Sequence, residues 1–124
     1  MKLLLDTNIL IDYLNGLEPA RALIEDEQRK SISLITWMEV LVGARGPEEE
    51  AILEAWMGRF PILDVDIPVA REAVGLRRKH KIRLPDALIW ATAQVHRLVL
   101  VTRNRRDFPS GQAGIHVPYR LPSP

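Results

Sequence analysis

The stretch Met1-Lys-Leu-Leu-Leu-Asp-Thr-Asn-Ile-Leu10 decides how the chain is read. Lys2 to Leu5 is a short apolar run of strand character, and Asp6 follows it directly. Beyond it Ile9, Leu10, Tyr13, Leu14 and Leu17 recur at the spacing of one helix face. A strand therefore gives way to a helix at a carboxylate. In open parallel sheets the carboxyl edge of the strands is where ligands bind. Asp, Thr and Asn also favour helix starts, so capping is the alternative role for Asp6. The polar residues further along weigh between the two.

Working outward, Gly16 stops the first helix, and Pro19 with Arg21 to Gln28 reads as a second, short one. Ser31 to Ile35 alternates and predicts a strand, after which Thr36 caps a helix over 37–44 that carries Glu39 in its first turn. Gly46-Pro47 breaks the chain. Pro47 then opens a helix with Glu48, Glu49 and Glu50 in its first turn, where acids suit the helix dipole. Residues 62–65 predict a third strand, and Pro68 begins a helix that runs into the basic stretch Arg77-Arg-Lys-His-Lys81. Pro85 starts a helix from Asp86 to about Arg97 that is apolar nearly all round, as expected of one buried between other elements. Leu98 to Val101 has no polar residue and suits the middle of a parallel sheet. Residues 115–117 predict a last strand, and the Pro-containing tail predicts no regular structure.

Strands alternating with helices specify an α/β fold: a parallel sheet of about four to five strands with helices on both faces. The expected organisation is one domain over residues 1–118 and a short tail over 119–124. A chain of 124 residues suits a single core, and 47% hydrophobic with 27% charged residues is ordinary for a globular protein. Cysteine is absent, which excludes disulfides and thiolate zinc sites and is consistent with a reducing cytoplasm. The N-terminus does not read as a signal peptide, and no apolar run approaches the roughly 20 residues of a membrane span. The net charge of +1 conceals an asymmetry. Residues 1–66 hold 13 acids against 6 bases, and residues 67–124 hold 3 acids against 11 bases. That suits metal ligands beside a track for a polyanion, and equally two solvated faces.

Asp6 ends the first strand, Glu39 lies in the helix after the second, and Asp86 sits in the first turn of the most apolar helix. Asn104 and Asp107 follow the last strong strand. In a parallel sheet most of these fall on one edge. Carboxylates crowded there raise one another's pKa or require a cation. Oxygen donors without Cys or well-placed His suit Mg²⁺ or Mn²⁺, and the chemistry of such a site is metal-assisted attack of water on a phosphodiester. Each acid also has a plain alternative: Glu39 a solvated first-turn acid, Asp107 a turn residue. Asp86 is harder to explain away, because a carboxylate heading an apolar helix is costly unless paired or capping.

Four segments in order resemble those of PIN-domain proteins, in particular the VapC-type toxins of toxin–antitoxin pairs. They are Leu4-Leu-Asp-Thr-Asn-Ile-Leu10, Trp37-Met-Glu-Val40, Leu84-Pro-Asp-Ala-Leu-Ile-Trp-Ala-Thr-Ala93 and Thr102-Arg-Asn-Arg-Arg-Asp-Phe108. The resemblance covers residues 2 to about 118. It implies a metal-dependent endoribonuclease in which Asp6, Glu39 and Asp86 bind Mg²⁺ or Mn²⁺, leaving a 5′-phosphate and a 3′-hydroxyl. Where many relatives carry an acid two residues after the threonine, this chain has Asn104, so Asp107 is expected to be a supporting ligand. Thr7, Asn8, Thr102 and Asn104 are expected to support the ligands. The resemblance further implies a homodimer, a cognate antitoxin and an RNA substrate.

Arg103, Arg105 and Arg106 flank the acids and are candidates for phosphate contact. Arg77 to Lys81 reads either as an RNA contact or as a solvated helix end favoured by the dipole. His80, His96 and His116 show no ligand spacing and read as surface residues. Trp37, Trp56 and Trp90 read as core or interface, with Trp37, Leu41 and the stripe Ile52, Leu53, Trp56 and Met57 as a partner surface. Two rival functions stand beside the nuclease. A non-catalytic PIN-like module has Asn104 in its favour and the three principal acids against it. A phospho-acceptor receiver domain needs an acidic pair after the first strand, and only Asp6 is there.

Overall fold

Strand β1 (Lys2–Leu5) is the middle of a five-stranded sheet, and its side chains divide the protein into two cores. The structure is a computed structural model. It describes residues 2–108, 112 and 114–121; residues 122–124 of the expected tail lie outside it. Along the chain β1 is followed by α1 (Thr7–Leu14), α2 (Glu18–Glu25), β2 (Arg29–Ser33), α3 (Leu34–Val42) and α4 (Pro47–Met57). Then come β3 (Ile62–Leu63), α5 (Ile67–His80), α6 (Leu84–Val95), β4 (Val99–Val101) and β5 (Ile115–His116). The strand order is β3-β2-β1-β4-β5, and every pairing is parallel.

Successive residues of a strand face opposite sides. Leu3 and Leu5 therefore pack with Ile9, Leu10, Ile24, Met57 and Phe60 on one face. Leu4 packs on the other with Val69, Ala73, Ile89, Trp90, Leu100 and Phe108. Both faces are covered, which is why β1 and β4 read as unbroken apolar runs rather than alternating ones. Helix α6 buries seven of its residues, as its all-round apolar surface requires.

The chain leaves β1 toward β2 and β3, whereas β4 leads to β5 on the opposite side of β1. Strands β1 and β4 are neighbours in register, Leu5 opposite Val101. Their outgoing connections thus diverge and open a crevice at the carboxyl edge, the position where open α/β sheets bind ligands. Asp6 and Thr102 are the first residues past that edge.

Several boundaries differ from those expected. Helix α3 starts at Leu34 and is capped by the Ser33 hydroxyl, which accepts from the Ile35 amide at 3.0 Å. Ser33 still pairs with Leu63, so β2 ends there and not at Ile35. Thr36, expected as the cap, is a buried residue inside the helix. Helix α1 ends at Leu14, short of Leu17, and α2 ends before an Asp26 turn whose carboxylate accepts from the Gln28 amide. Asp66 caps α5, which starts at Ile67, one residue ahead of Pro68. Strand β4 is interior but not central. His80, expected at the surface, is half-buried with its ring 4.8 Å from that of Trp90.

Candidate active site

Asp6, Glu39, Asp86 and Asn104 line one cleft of about 260 Å³ at the carboxyl edge, with Thr7, Asn8 and Arg83 around them. Each arrives from a different place: the end of β1, the second turn of α3, the first turn of α6 and the loop after β4. The sheet therefore gathers residues that lie up to 98 positions apart in the chain.

Asp6 is 4% exposed and fully engaged. Oδ1 accepts from the Thr7 amide at 2.7 Å, so the capping role is real. Oδ2 accepts from the Thr102 hydroxyl at 2.7 Å and from Asn8 Nδ2 at 3.3 Å. Capping and cleft lining are not alternatives here; one carboxylate does both. Burial pushes its pKa up to about 6, the Thr102 and Thr7 hydrogen bonds oppose that, and Asp86 and Glu39 add to it. The Asp86 carboxyl is likewise raised, first by burial, against the pull of Arg83 and with the repulsion of Asp107 and Glu39. Asp6, Glu39, Asp86 and Asp107 thus all act within one electrostatic neighbourhood.

Glu39 is exposed, and its Oε1 accepts from the Thr7 hydroxyl at 2.7 Å. That hydroxyl also lies 3.0 Å from the Thr36 hydroxyl, which gives Thr36 a place in the site that its sequence position did not suggest. Asp86 Oδ2 meets Arg83 Nε at 3.3 Å and Nη2 at 3.2 Å. Asn104 and Asp107 take different parts. The Asn104 amide donates to Asp107 Oδ2 at 2.7 Å, and its oxygen accepts from the backbone of Arg106 and Asp107. Asn104 lines the cleft and ties the loop; Asp107 stands behind it. Thr102 accepts from the Asn104 amide at 3.0 Å and from Asn8 at 3.2 Å.

Of the three arginines expected at phosphate, Arg103 is already committed. Its Nε and Nη2 clasp Asp12 at 2.7 and 3.1 Å, and the Tyr119 hydroxyl donates to the same carboxylate at 2.8 Å. A bidentate clasp on a buried acid holds the guanidinium away from solvent, so Arg103 anchors the loop. Arg105 and Arg106 are exposed. Asp12, Tyr119 and Arg83 were not singled out from the sequence, and Thr36 was expected only as a helix cap. Only Arg83 carries a local signal, its i, i+3 spacing to Asp86.

Whether the donors fit a divalent ion rests on their chemistry. Three carboxylates face one cleft, two of them buried and raised by that burial, with oxygen as the donor type throughout. That is a hard-cation donor set. In the rotamers present, no three His, Asp or Glu side chains among the described residues close on a single point. Glu39 hangs on Thr7 and Arg83 occupies Asp86, so the donors suit an ion but are held by other partners.

The pH response of the metal-free protein follows. Between about pH 4 and 6 folded Asp6 retains a proton that the unfolded chain has released. Asp6 therefore lowers stability as pH rises through that window, with no further loss above it. Thermal melts in EDTA are expected to show a downward trend across the window that is flatter in Asp6→Asn. Parallel profiles for the two proteins would contradict the assignment.

A parallel α/β domain with an acid-lined cleft at its topological switch point is the class that fold and geometry define. Within it the chain belongs to the PIN domain family, whose model matches residues 3–110. Ribonuclease VapC10 of Mycobacterium tuberculosis is 31% identical over 117 residues, 86% of each chain. A chain of a toxin–antitoxin complex from Klebsiella pneumoniae superposes with TM-score 0.87 at 45% identity, covering 96% of this chain and 99% of that one. FitAcB from Neisseria gonorrhoeae superposes with TM-score 0.77 at 26% identity, over 95% and 98%.

Proposed function

We propose that the protein is the ribonuclease toxin of a toxin–antitoxin pair, cutting RNA at the acid-lined cleft with Mg²⁺ or Mn²⁺. The observation that carries this is the convergence of Asp6, Glu39 and Asp86 on one cleft at the sheet's switch point. The ribonuclease relative and the toxin–antitoxin relatives support it.

In this reading Asp6, Glu39 and Asp86 hold the ion, with Asp107 supporting them through Asn104. A bound divalent ion supplies a water of lowered pKa and polarises a phosphate oxygen. The chain's own residues do the rest. Thr102, Asn8 and the Thr7 amide fix Asp6 in one orientation, as hydrogen-bonded partners of metal ligands do. Thr7 sets the reach of Glu39. Arg105 and Arg106, exposed on the loop that borders the cleft, meet the RNA backbone.

The antitoxin is the protein partner in this reading. A groove of about 410 Å³ between α1, α3 and α4 shares Ile11 and Glu39 with the acid cleft. Met38 and Val42 of α3 and Ile52 of α4 are exposed, whereas Trp37 and Leu41 pack on the second core. The outward face of the expected partner surface thus consists of residues other than Trp37 and Leu41. Among the described residues no helix is long and apolar enough to cross a membrane.

The test is incubation of the purified chain, freed of any partner, with a total RNA pool in Mg²⁺, in Mn²⁺ and in EDTA. Fragments with 5′-phosphate ends that form only with metal are the expected result. Cleavage undiminished by EDTA would contradict the metal dependence, and intact RNA under every condition would contradict the nuclease reading and favour a binding module.

A further inference from the structure

Arg83 is the sole cation lining the cleft among the described residues, facing three carboxylates. Its two contacting nitrogens both go to Asp86 Oδ2, and among the described residues Oδ1 of that carboxylate has no hydrogen-bond partner. The pair is lopsided in exposure: the Asp86 side chain is 9% exposed and the Arg83 side chain 75%. A long, solvated side chain that holds one oxygen of a buried acid swings away at little cost, since exposed pairs are worth little and confine side-chain rotamers.

We infer that Arg83 is the cleft's built-in counter-cation, pairing with Asp86 until a divalent ion takes that carboxylate and then turning its guanidinium to the RNA phosphate. This rests on the proposed metal-dependent nuclease reading. The crowding of Asp6, Glu39 and Asp86 requires positive charge in the cleft at neutral pH, and Arg83 is the charge in place. An arriving ion competes with it for Asp86. Once displaced, the guanidinium stays at the mouth of the cleft, because its backbone is fixed at the start of α6. There a planar fork of donors matches a phosphate. Arg83 is on this account a positioning and substrate-contact residue, and its position three residues before Asp86 keeps both partners within its reach.

The test measures Mn²⁺ affinity by electron paramagnetic resonance for the wild type, Arg83→Gln, Arg83→Lys and Asp6→Asn, with RNA-cleavage kinetics alongside. Removing the competitor is expected to tighten Mn²⁺ binding in Arg83→Gln by up to roughly fivefold, the upper range for an exposed pair. KM for RNA is expected to rise while kcat stays near the wild-type value. Arg83→Lys keeps the charge and is expected to hold Mn²⁺ affinity near wild type. Unchanged or weaker Mn²⁺ binding in Arg83→Gln, or an unchanged KM, overturns the inference. The Asp6→Asn arm separates this from failure of the underlying reading. If Asp6→Asn loses Mn²⁺ and Arg83→Gln behaves as wild type, Arg83 alone is misassigned. If Asp6→Asn binds Mn²⁺ as the wild type does, the metal site itself is misplaced and the inference falls with it.

Discussion

Asp6→Asn is expected to abolish RNA cleavage while leaving a folded protein. Losing an outer partner of a metal ligand costs up to about 100-fold in activity or affinity, so losing Asp6, a ligand of the proposed site, is expected to exceed that. The fold survives for a reason visible in the site. A buried Asp6 whose pKa is raised to about 6 opposes folding when ionised at neutral pH. Asparagine removes that charge and keeps an oxygen for the Thr7 amide, the capping contact that starts α1. Against this gain stand the buried Thr102 hydroxyl and the Asn8 amide, which lose the acceptor they share and face a donor instead. The two effects oppose, and a melting temperature near the wild-type value is expected in EDTA at neutral pH. Cleavage retained in full by a folded Asp6→Asn would place the chemistry elsewhere.

Asp12→Asn is expected to have the largest effect on stability. Asp12 is 6% exposed, and two partners converge on it from distant parts of the chain, Arg103 after β4 and Tyr119 near the C-terminus. Its loss strands a guanidinium whose side chain is only 29% exposed. Breaking a buried pair by removing one member costs about 3–5 kcal/mol, and the partial exposure of Arg103 places this one near about 3 kcal/mol. Tyr119 adds to the dependence: burial first, then the hydrogen bond to Asp12, keeps its hydroxyl protonated well above the usual range. Urea denaturation reads the change as a lower midpoint. The loss also reaches the cleft, because the Arg103 amide donates to Asn8 Oδ1 at 3.1 Å and Asn8 in turn donates to Asp6 and Thr102. A variant within about 1 kcal/mol of wild type, the scale of an ordinary hydrogen bond, would show that the triad is ornamental to folding.

Asp6 and Asp86 were legible in the sequence because each adjoins a break in periodicity, whereas Glu39 lies inside α3, in its second turn and not the first as expected. Asp6 stands where an apolar strand run becomes a helical one, and Asp86 where Pro85 opens an apolar helix. Periodicity locates such junctions, and parallel topology then brings them to one edge. What could not be read was the identity of partners. Asp12 lies within α1 among surface and core positions alike, and nothing nearby announces an arginine 91 residues away. Ser33 and Thr36 are both of the residue types that cap helices, and Ser33 takes the role because β2 ends there in its pairing with β3, a tertiary fact. Likewise Arg103 looked like its neighbours Arg105 and Arg106; only the fold shows that one of the three faces inward.

Asp6, Glu39 and Asp86 are proposed to form a divalent-metal site. Crystals soaked in Mn²⁺ and measured for anomalous scattering test it most directly. A peak is expected in the cleft about 2.0–2.6 Å from carboxylate oxygens of Asp6 and Asp86, the range for hard cations on oxygen. Arg83 is expected to have moved off Asp86. Saturating Mn²⁺ with no peak in the cleft, and Arg83 still bound to Asp86, would contradict it.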